Sequence, residues 1–349
     1  MSLLRVPHGV TGHIIPWNYP AQQMARTIAP ALAAGNAAVL KPSEDACLSS
    51  LKLAELALEA GLRAGALNVV TGIGEDAGPA LTANPGIDFV SFTGSPEIGT
   101  LVQQQAARHH IPCALELGGK SPQIVFADAD FEQALPVIVR AVIQNTGQTC
   151  SAGSRLLIQE EVYEEFVHRV SERFRGLRVG IPESDPDCGP VMNVVQRDKI
   201  NRFVQRAVRD GVPLLAEAPL PADLPSGGFW EKPSLFGPVP REHQLAHEEV
   251  FGPVLTAMPL LDEQDAVRLA NATDYGLIGA VWTTHGDRQQ RVGKRLRCGQ
   301  VYINCYGAGG GVVLPFGGVK KSGHGREKGF LALEAMTTTK TVVHLHGAN

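Results

Sequence analysis

Val10-Thr-Gly-His-Ile-Ile-Pro16, a helical stretch at about 20–33, and Ala37-Ala-Val-Leu40 decide the fold. Two short apolar strands joined by a helix are the repeating unit of a parallel sheet covered on both faces. The same alternation continues outward. A helix at 45–60 has apolar positions at Leu48, Leu51, Leu53, Leu56 and Leu58, with Gly61 as its stop. Strands follow at 67–70, 89–92 and 113–117, with helices near 75–83 and 96–107 between them. By topology this is a dinucleotide-type domain.

The usual phosphate fingerprint of such domains is missing. Gly72-Ile-Gly74-Glu-Asp-Ala-Gly78 has the wrong spacing for Gly-x-Gly-x-x-Gly and follows the third strand, not the first, so Gly74 and Gly78 carry little weight alone. Phe92-Thr93-Gly94-Ser95-Pro-Glu-Ile-Gly99 is the better phosphate site. There a strand ends in glycine and a helix opens with Ser95 as N-cap and Pro96 in its first position, leaving backbone N–H groups and the helix dipole for a pyrophosphate. Leu40-Lys41-Pro42-Ser43-Glu44 ends the second strand, where a dinucleotide fold meets the adenosine ribose. A carboxylate at Glu44 repels a 2'-phosphate, which favours NAD, while Lys41 and Ser43 leave NADP open. Standing alone, the first of these segments reads as a capped helix with nothing bound and the second as a solvated turn.

The chemistry is expected at Asn145-Thr-Gly-Gln-Thr-Cys150-Ser-Ala-Gly-Ser-Arg155, where one thiol sits among small and polar neighbours between an apolar helix at 131–143 and a strand. A cysteine kept for packing normally stands inside an apolar run; Cys150 is flanked by Thr149 and Ser151, with Gly147 and Gly153 allowing close backbone approach. Taken alone, the thiol reads equally as a small buried residue and as a nucleophile. Leu115-Glu116-Leu117-Gly118-Gly119-Lys120 shifts the balance, because it sets one carboxylate in an apolar strand that ends in two glycines. A buried carboxylate is costly without a partner or a role, and desolvation raises its pKa towards that of a usable general base.

Glu116 within Glu-Leu-Gly-Gly-Lys and Cys150 within Gly-Gln-Thr-Cys, in this order and at this spacing, resemble the two signature segments of the aldehyde dehydrogenase superfamily. The likeness extends to Phe92–Gly99, to Glu248-Glu249-Val-Phe251-Gly-Pro253, to Pro315-Phe316-Gly-Gly-Val-Lys320 and to Ser322-Gly-His-Gly-Arg-Glu327, and so runs from about 7 to 343. The resemblance implies an NAD(P)-dependent oxidation in which Cys150 is the nucleophile and Glu116 activates the water that hydrolyses a thioester. Asn18, in Ile15-Pro16-Trp17-Asn18-Tyr19-Pro20, would share the oxyanion with the Cys150 N–H. It also implies cofactor contacts from Pro16, Trp17, Leu117, Gly118, from Glu249 on the nicotinamide ribose, and from Phe251 against the ring. On the substrate side stand Tyr19, Phe316 and Arg26; an arginine in a substrate tunnel would clamp a carboxylate bidentately.

Composition agrees with this class without selecting it. The 349 residues are 44% hydrophobic and 19% charged, enough for a sizeable core and ordinarily two domains. A net charge of -4 gives no electrostatic footprint for nucleic acid or an anionic membrane. The six cysteines, at 47, 113, 150, 188, 298 and 305, include no Cys-x-x-Cys pair and no close histidine set, so no metal site is expected and the thiols read as reduced. No run of eighteen apolar residues and no leader pattern is present, so the expectation is a cytoplasmic protein.

The fold class expected is α/β, with two Rossmann-like parallel-sheet domains of the aldehyde dehydrogenase type. A dinucleotide-binding domain is expected at 1–117 and a catalytic domain at 118–318. Within the latter, strands are read near 122–126, 154–159 and 300–304, helices at 161–175 and 194–209, and loops over the proline- and glycine-rich 211–240. Tyr306-Gly-Ala-Gly-Gly-Gly311 is read as a loop bordering the aldehyde entrance. The return at 319–349 ends in Thr338-Thr-Lys-Thr-Val-Val-His344, which resembles the family's inter-subunit strand and suggests a homo-oligomer, dimer or tetramer. The chain begins almost at the first dinucleotide strand, where the family carries a longer segment, so N-terminal truncation is expected. Hydrolytic oxidation is the leading reading; transfer of the acyl group to coenzyme A and a silent oligomerising fragment are the alternatives.

Overall fold

Strand β1 (Ser2–Pro7) opens the chain in the computed structural model, which describes residues 1–307 and 311–345. There follow β2 (Val10–Ile15), α1 (Pro20–Ala33), β3 (Ala37–Pro42), α2 (Leu48–Glu59), β4 (Leu67–Val69), α3 (Gly74–Thr82), β5 (Phe89–Thr93), α4 (Pro96–Arg108) and β6 (Cys113–Glu116). The neighbours β6-β5-β2-β3-β4 pair in parallel, with Gly12 of β2 opposite Val39 of β3 and Val90 of β5. Strands covered on both faces read as nearly continuous apolar runs, and all five residues of β5 are buried. Helix α1 starts with Pro20 in its first turn and buries Met24, Thr27, Ile28 and Ala31 along one face. Met24 and Ile28 pack on Ile15, Ala38 and Leu40, each side chain contributing about 1.5–3 kcal/mol. The buried His13 ring is satisfied, meeting Thr27 Oγ1 at 2.6 Å and Thr11 Oγ1 at 2.8 Å.

One expectation is corrected here. The helix read at 45–60 is a 3-10 turn, Glu44–Ala46, followed by α2, and its leucine row is not a core face. Leu48, Leu51, Leu56 and Leu58 are exposed, and only Leu53 packs inward. The apolar spacing was real, yet among the described residues nothing covers it.

From Gly118 the chain builds a second unit: β7 (Pro122–Val125), α5 (Phe131–Ile143), β8 (Arg155–Gln159), α6 (Tyr163–Arg175), α7 (Val194–Arg209), β9 (Leu214–Glu217), β10 (Ser234–Phe236), α8 (Gln244–His247), β11 (Val254–Leu260), α9 (Glu263–Asn271), β12 (Ile278–Trp282), α10 (Gly286–Arg295) and β13 (Gln300–Ile303). The seven-stranded order is β13-β12-β7-β8-β11-β10-β9, parallel except for β9. Successive side chains of β8 feed opposite layers, Leu156 and Ile158 one core and Leu157 the other. Arg155 at its start is fully buried because its guanidinium satisfies the last carbonyls of α9, Leu269 O and Ala270 O, both at 2.8 Å. The stretch 211–240 is corrected as well: it contains β9 and β10, four and three residues long, too short and too closely flanked by prolines to show a period.

The C-terminal return does not stand by itself. Gly318–Ser322 belongs to the second unit, whereas the described residues 311–317 and 323–345 join Met1–Leu117 in the first. There β14 (Gly323–His324) extends the six-stranded sheet beside β6, and α11 (Gly329–Ala335) leads into β15 (Thr337–Val342). Expected as an inter-subunit strand, β15 pairs with β1 of its own chain, antiparallel, from Ser2↔Val342 to Pro7↔Thr337. Both strands of this ribbon are mostly exposed, so no alternation marked β1 in the sequence. Of the glycine-rich loop at 306–311, residues 308–310 lie outside the described residues.

Candidate active site

In the first unit, a cleft of about 690 Å³ lies between the ends of β2, β3 and β5 and helices α3 and α4. Ten residues singled out from the sequence line it: Pro16, Lys41, Ser43, Glu44, Gly74, Gly78, Phe92, Thr93, Gly94 and Ser95. Trp17 lies just beyond Pro16 and outside this lining. Ser95 caps α4, its Oγ accepting from the Ile98 N–H at 3.4 Å, and Pro96 fills the first position. Gly94 has no room for a side chain, since a Cβ would lie 2.5 Å from the Phe92 ring. Glu44 is held from two sides, by Lys41 Nζ at 2.9 Å and by the Gly74 N–H at 3.0 Å. Burial works against its charge, but its own backbone N–H, Lys41 and the Gly74 N–H hold the carboxyl down to about 2. The sequence treated Gly74 as a weak phosphate signal; its N–H is spent on Glu44 instead.

Glu116 ends β6, buried, with Oε1 lacking a hydrogen-bond partner among the described residues. Burial pushes its pKa well above the ordinary carboxylate value, Arg26 opposes the rise, Glu327 adds to it, and Arg326 and Lys328 oppose it. The chain's return makes this pocket: Gly323 of β14 pairs with Glu116, and a Cβ there would lie 2.0 Å from Leu115 O. Arg26 projects from α1 as an ion-pair partner of Glu327, both nearly buried, with its guanidinium 4.7 Å from the centre of the Phe316 ring. The group read as a clamp for a substrate carboxylate is thus engaged by a carboxylate of its own chain. Phe316 is buried beneath it. Asn18 and Tyr19 occupy the half-buried connection between β2 and α1, with Tyr19 at the N-cap position. Leu117 fills the space left by the absent side chain of Gly99, whose Cβ would meet it at 2.6 Å.

In the second unit Cys150 stands half-buried on the turn between α5 and β8. Three successive residues before it, Asn145, Thr146 and Gly147, have φ of 52°, 55° and 72°, a left-handed run that two non-glycine residues adopt only under constraint. The constraints are visible. Gln148 Nε2 donates to Asn145 O at 3.0 Å, Thr146 Oγ1 to Gly189 O at 3.1 Å, and Met192 N to Gln148 Oε1 at 2.8 Å. Gly119 is tight against the backbone of Cys150, for a Cβ would lie 2.5 Å from Cys150 O.

Glu249, half-buried after α8, accepts from the Gly119 N–H at 2.8 Å. Phe251 has φ of 58°, and its carbonyl accepts from Gln196 Nε2 of α7 at 2.7 Å. Lys120 belongs to the quoted signature but received no role from the sequence. Its ammonium is fully buried and, among the described residues, has no hydrogen-bond partner; burial first, then Arg155, lower its pKa to about 7 against Glu249 and Glu248. Gln196 and Glu327 were also missed, and only the position of Glu327 inside a signature segment pointed to it.

The sequence profile of the Aldehyde dehydrogenase family matches residues 1–342. The chain belongs to the aldehyde dehydrogenase family. It is 42% identical to the phenylacetaldehyde dehydrogenase of Pseudomonas fluorescens, over 98% of this chain and 68% of that protein, and 43% identical to the chloroplastic betaine aldehyde dehydrogenase of Beta vulgaris, over 97% and 68%. A crystal structure of a candidate aldehyde dehydrogenase from Burkholderia cenocepacia superposes with a TM-score of 0.97 at 60% identity, covering 99% of this chain and 72% of that one. The betaine aldehyde dehydrogenase of Staphylococcus aureus, in complex with NAD+, gives 0.94 at 37% identity, over 97% and 67%. The chain therefore spans about two thirds of the length of the relatives it matches. Family membership makes it an oxidoreductase of aldehydes. Among the described residues no disulfide joins any of the six cysteines, and no helix is long and apolar enough to cross a membrane.

Proposed function

We propose that this aldehyde dehydrogenase oxidises its aldehyde to a carboxylic acid with NAD, through a thiohemiacetal and a thioester on Cys150. The observation that carries the hydrolytic reading is Glu116: a buried carboxyl with raised proton affinity and an oxygen left without a protein donor suits a base that receives a water. A cleft of about 690 Å³ falls in the size range of ligand sites. The positive end of the α4 helix dipole suits a pyrophosphate, and ionised Glu44 suits a ribose whose 2'-position carries no phosphate. The Staphylococcus relative's complex with NAD+ supports the same cofactor.

The Cys150 sulfur, as thiolate, forms a bond to the carbonyl carbon, and the oxygen takes up the electron pair of the C=O bond. Asn18 Nδ2 and the Cys150 N–H donate to that oxygen. NAD, when bound, supplies the hydride acceptor that makes the oxidation to the thioester possible. Glu116 then removes a proton from water as its oxygen attacks the thioester carbon; the C–S bond breaks, the acid departs, and the thiolate is restored. When NAD is bound, Glu249 would hold the nicotinamide ribose and Phe251 would pack on the ring. The exposed apolar side chains Leu3, Leu4, Phe330 and Val343 favour association of several copies in solution.

The test is to incubate the protein with NAD and a panel of aldehydes and to follow NADH with and without coenzyme A. The expected result is turnover independent of coenzyme A and abolished in Cys150→Ser. Turnover that requires coenzyme A replaces hydrolysis by acyl transfer, and undiminished turnover in Cys150→Ser removes the thiol from the reaction.

A further inference from the structure

We propose that the Tyr306 hydroxyl is a positioning group for the nucleophile, fixing the turn that presents Cys150 by holding the carbonyl of Ser151. The inference rests on the reading of Cys150 as nucleophile and assigns a role to a residue outside the signature segments. Before Cys150 the turn is tied through Asn145, Thr146 and Gln148; after it, the Tyr306 hydroxyl donates to Ser151 O at 2.7 Å. The two anchors bracket the thiol. Tyr306 is itself carried on a rigid support. Asn304, just past β13, takes a left-handed φ of 52°, and its amide is clamped to Thr283 both ways, accepting from the Thr283 N–H and donating to its carbonyl, each at 3.0 Å. The Tyr302 ring stands 5.7 Å from the Tyr306 ring, centre to centre. Burial raises the phenol's pKa far above its usual value, so the hydroxyl remains a donor at every working pH. A ring bonded to such a platform can set the direction of one peptide plane, and in a nucleophilic turn a small misplacement costs rate while leaving the fold intact.

The decisive comparison is Tyr306→Phe against the unaltered chain, each with NAD and a neutral aldehyde. Mass-spectrometric counting of iodoacetamide label on the Cys150 peptide gives the number of intact sites and the rate of alkylation. The expected result is a fall of about 5–10-fold in both kcat per intact site and Cys150 alkylation rate, the scale of one lost neutral hydrogen bond, with KM for NAD within twofold. A merely structural role would reduce the number of intact sites and leave the rate per site alone. Rates per site and alkylation within twofold of the unaltered protein overturn the proposal. Should the variant not fold, a crystal structure of the unaltered protein decides: a Tyr306 hydroxyl beyond hydrogen-bond distance of Ser151 O overturns it equally. Cys150→Ser with undiminished turnover refutes the nucleophile reading itself; an inert Cys150→Ser beside an unaffected Tyr306→Phe refutes only the positioning role.

Discussion

Glu249 and Gly118 occupy one space: the carboxylate that accepts the Gly119 N–H has an oxygen 2.2 Å from where a Cβ on Gly118 would stand. The first glycine of the signature pair is therefore a steric requirement of Glu249, not a matter of backbone flexibility. Gly118→Ala must drive the carboxylate away from its place beside Gly119. If Glu249 holds the nicotinamide ribose, KM for NAD rises at least about tenfold, the scale of one lost charge-assisted hydrogen bond. Glu249→Gln, which keeps the shape, gives the smaller effect. Steady-state kinetics with varied NAD check this, and an unchanged KM in Gly118→Ala removes Glu249 from the cofactor site.

Glu116 gives a pH dependence whose sign is fixed by burial. Its carboxyl titrates well above its unfolded value, so the folded chain favours the protonated form. Stability on this account is fullest below the unfolded pKa of about 4.5 and declines as pH rises towards the folded pKa. If Glu116 is the base, activity runs the other way, because a base must be ionised. Hydrolysis of the thioester should rise with pH through a value above the ordinary carboxylate range. Glu116→Gln should flatten that limb, lower kcat by about 10²–10⁴ and leave acyl-enzyme to accumulate, while unfolding later than the unaltered chain at neutral pH. Stopped-flow kinetics and thermal melts across pH read both; a retained limb in Glu116→Gln assigns the base elsewhere.

Much of both units was legible because their inner strands are buried on both faces and helices such as α1 and α5 carry an apolar stripe: both fall where the periodicity put them. The same rule misled at α2, where the leucine spacing of a buried helix belongs to an exposed one. It was silent at β1, whose residues alternate nothing. Cys150 and Glu116 stood out as candidates through their departure from an apolar context. The partners of Arg26 and Tyr306 did not, since Glu327 and Ser151 lie 301 and 155 residues away in the chain and no local pattern connects them.

Glu44 should govern the choice between the two nicotinamide cofactors. Its carboxyl is depressed to about 2, so its charge is present above the unfolded value near 4.5 and lost only as pH falls through about 2. At every working pH the Glu44 carboxylate in the cleft is therefore ionised, beside the Lys41 ammonium. Glu44→Gln keeps the hydrogen-bonding shape and removes the repulsion, and the ratio of kcat/KM for NADP to that for NAD should rise about tenfold, the scale of one partly screened charge. High salt should narrow the gap between the two proteins. A ratio indifferent to the substitution and to salt would place cofactor selection at another residue.

Arg26 and Glu327 form a nearly buried ion pair, and removing one partner of such a pair leaves a charge with no water to take it. Arg26→Ala is expected to destabilise the protein by about 3–5 kcal/mol, seen as a lowered Tm, whereas Arg26→Met combined with Glu327→Gln, which removes both charges and keeps the volume, should restore most of it. A second readout separates this from simple loss of packing on Phe316. Arg26 is the first of the charges that oppose the rise in the Glu116 pKa, so in the surviving fraction of Arg26→Ala the pH limb for hydrolysis should move to higher pH. The preference between acidic and neutral aldehydes should stay as it was, because the guanidinium is engaged by Glu327 and not offered to a substrate. A selective loss of activity towards acidic aldehydes, with Tm and the pH limb unmoved, would return Arg26 to the role of a substrate clamp.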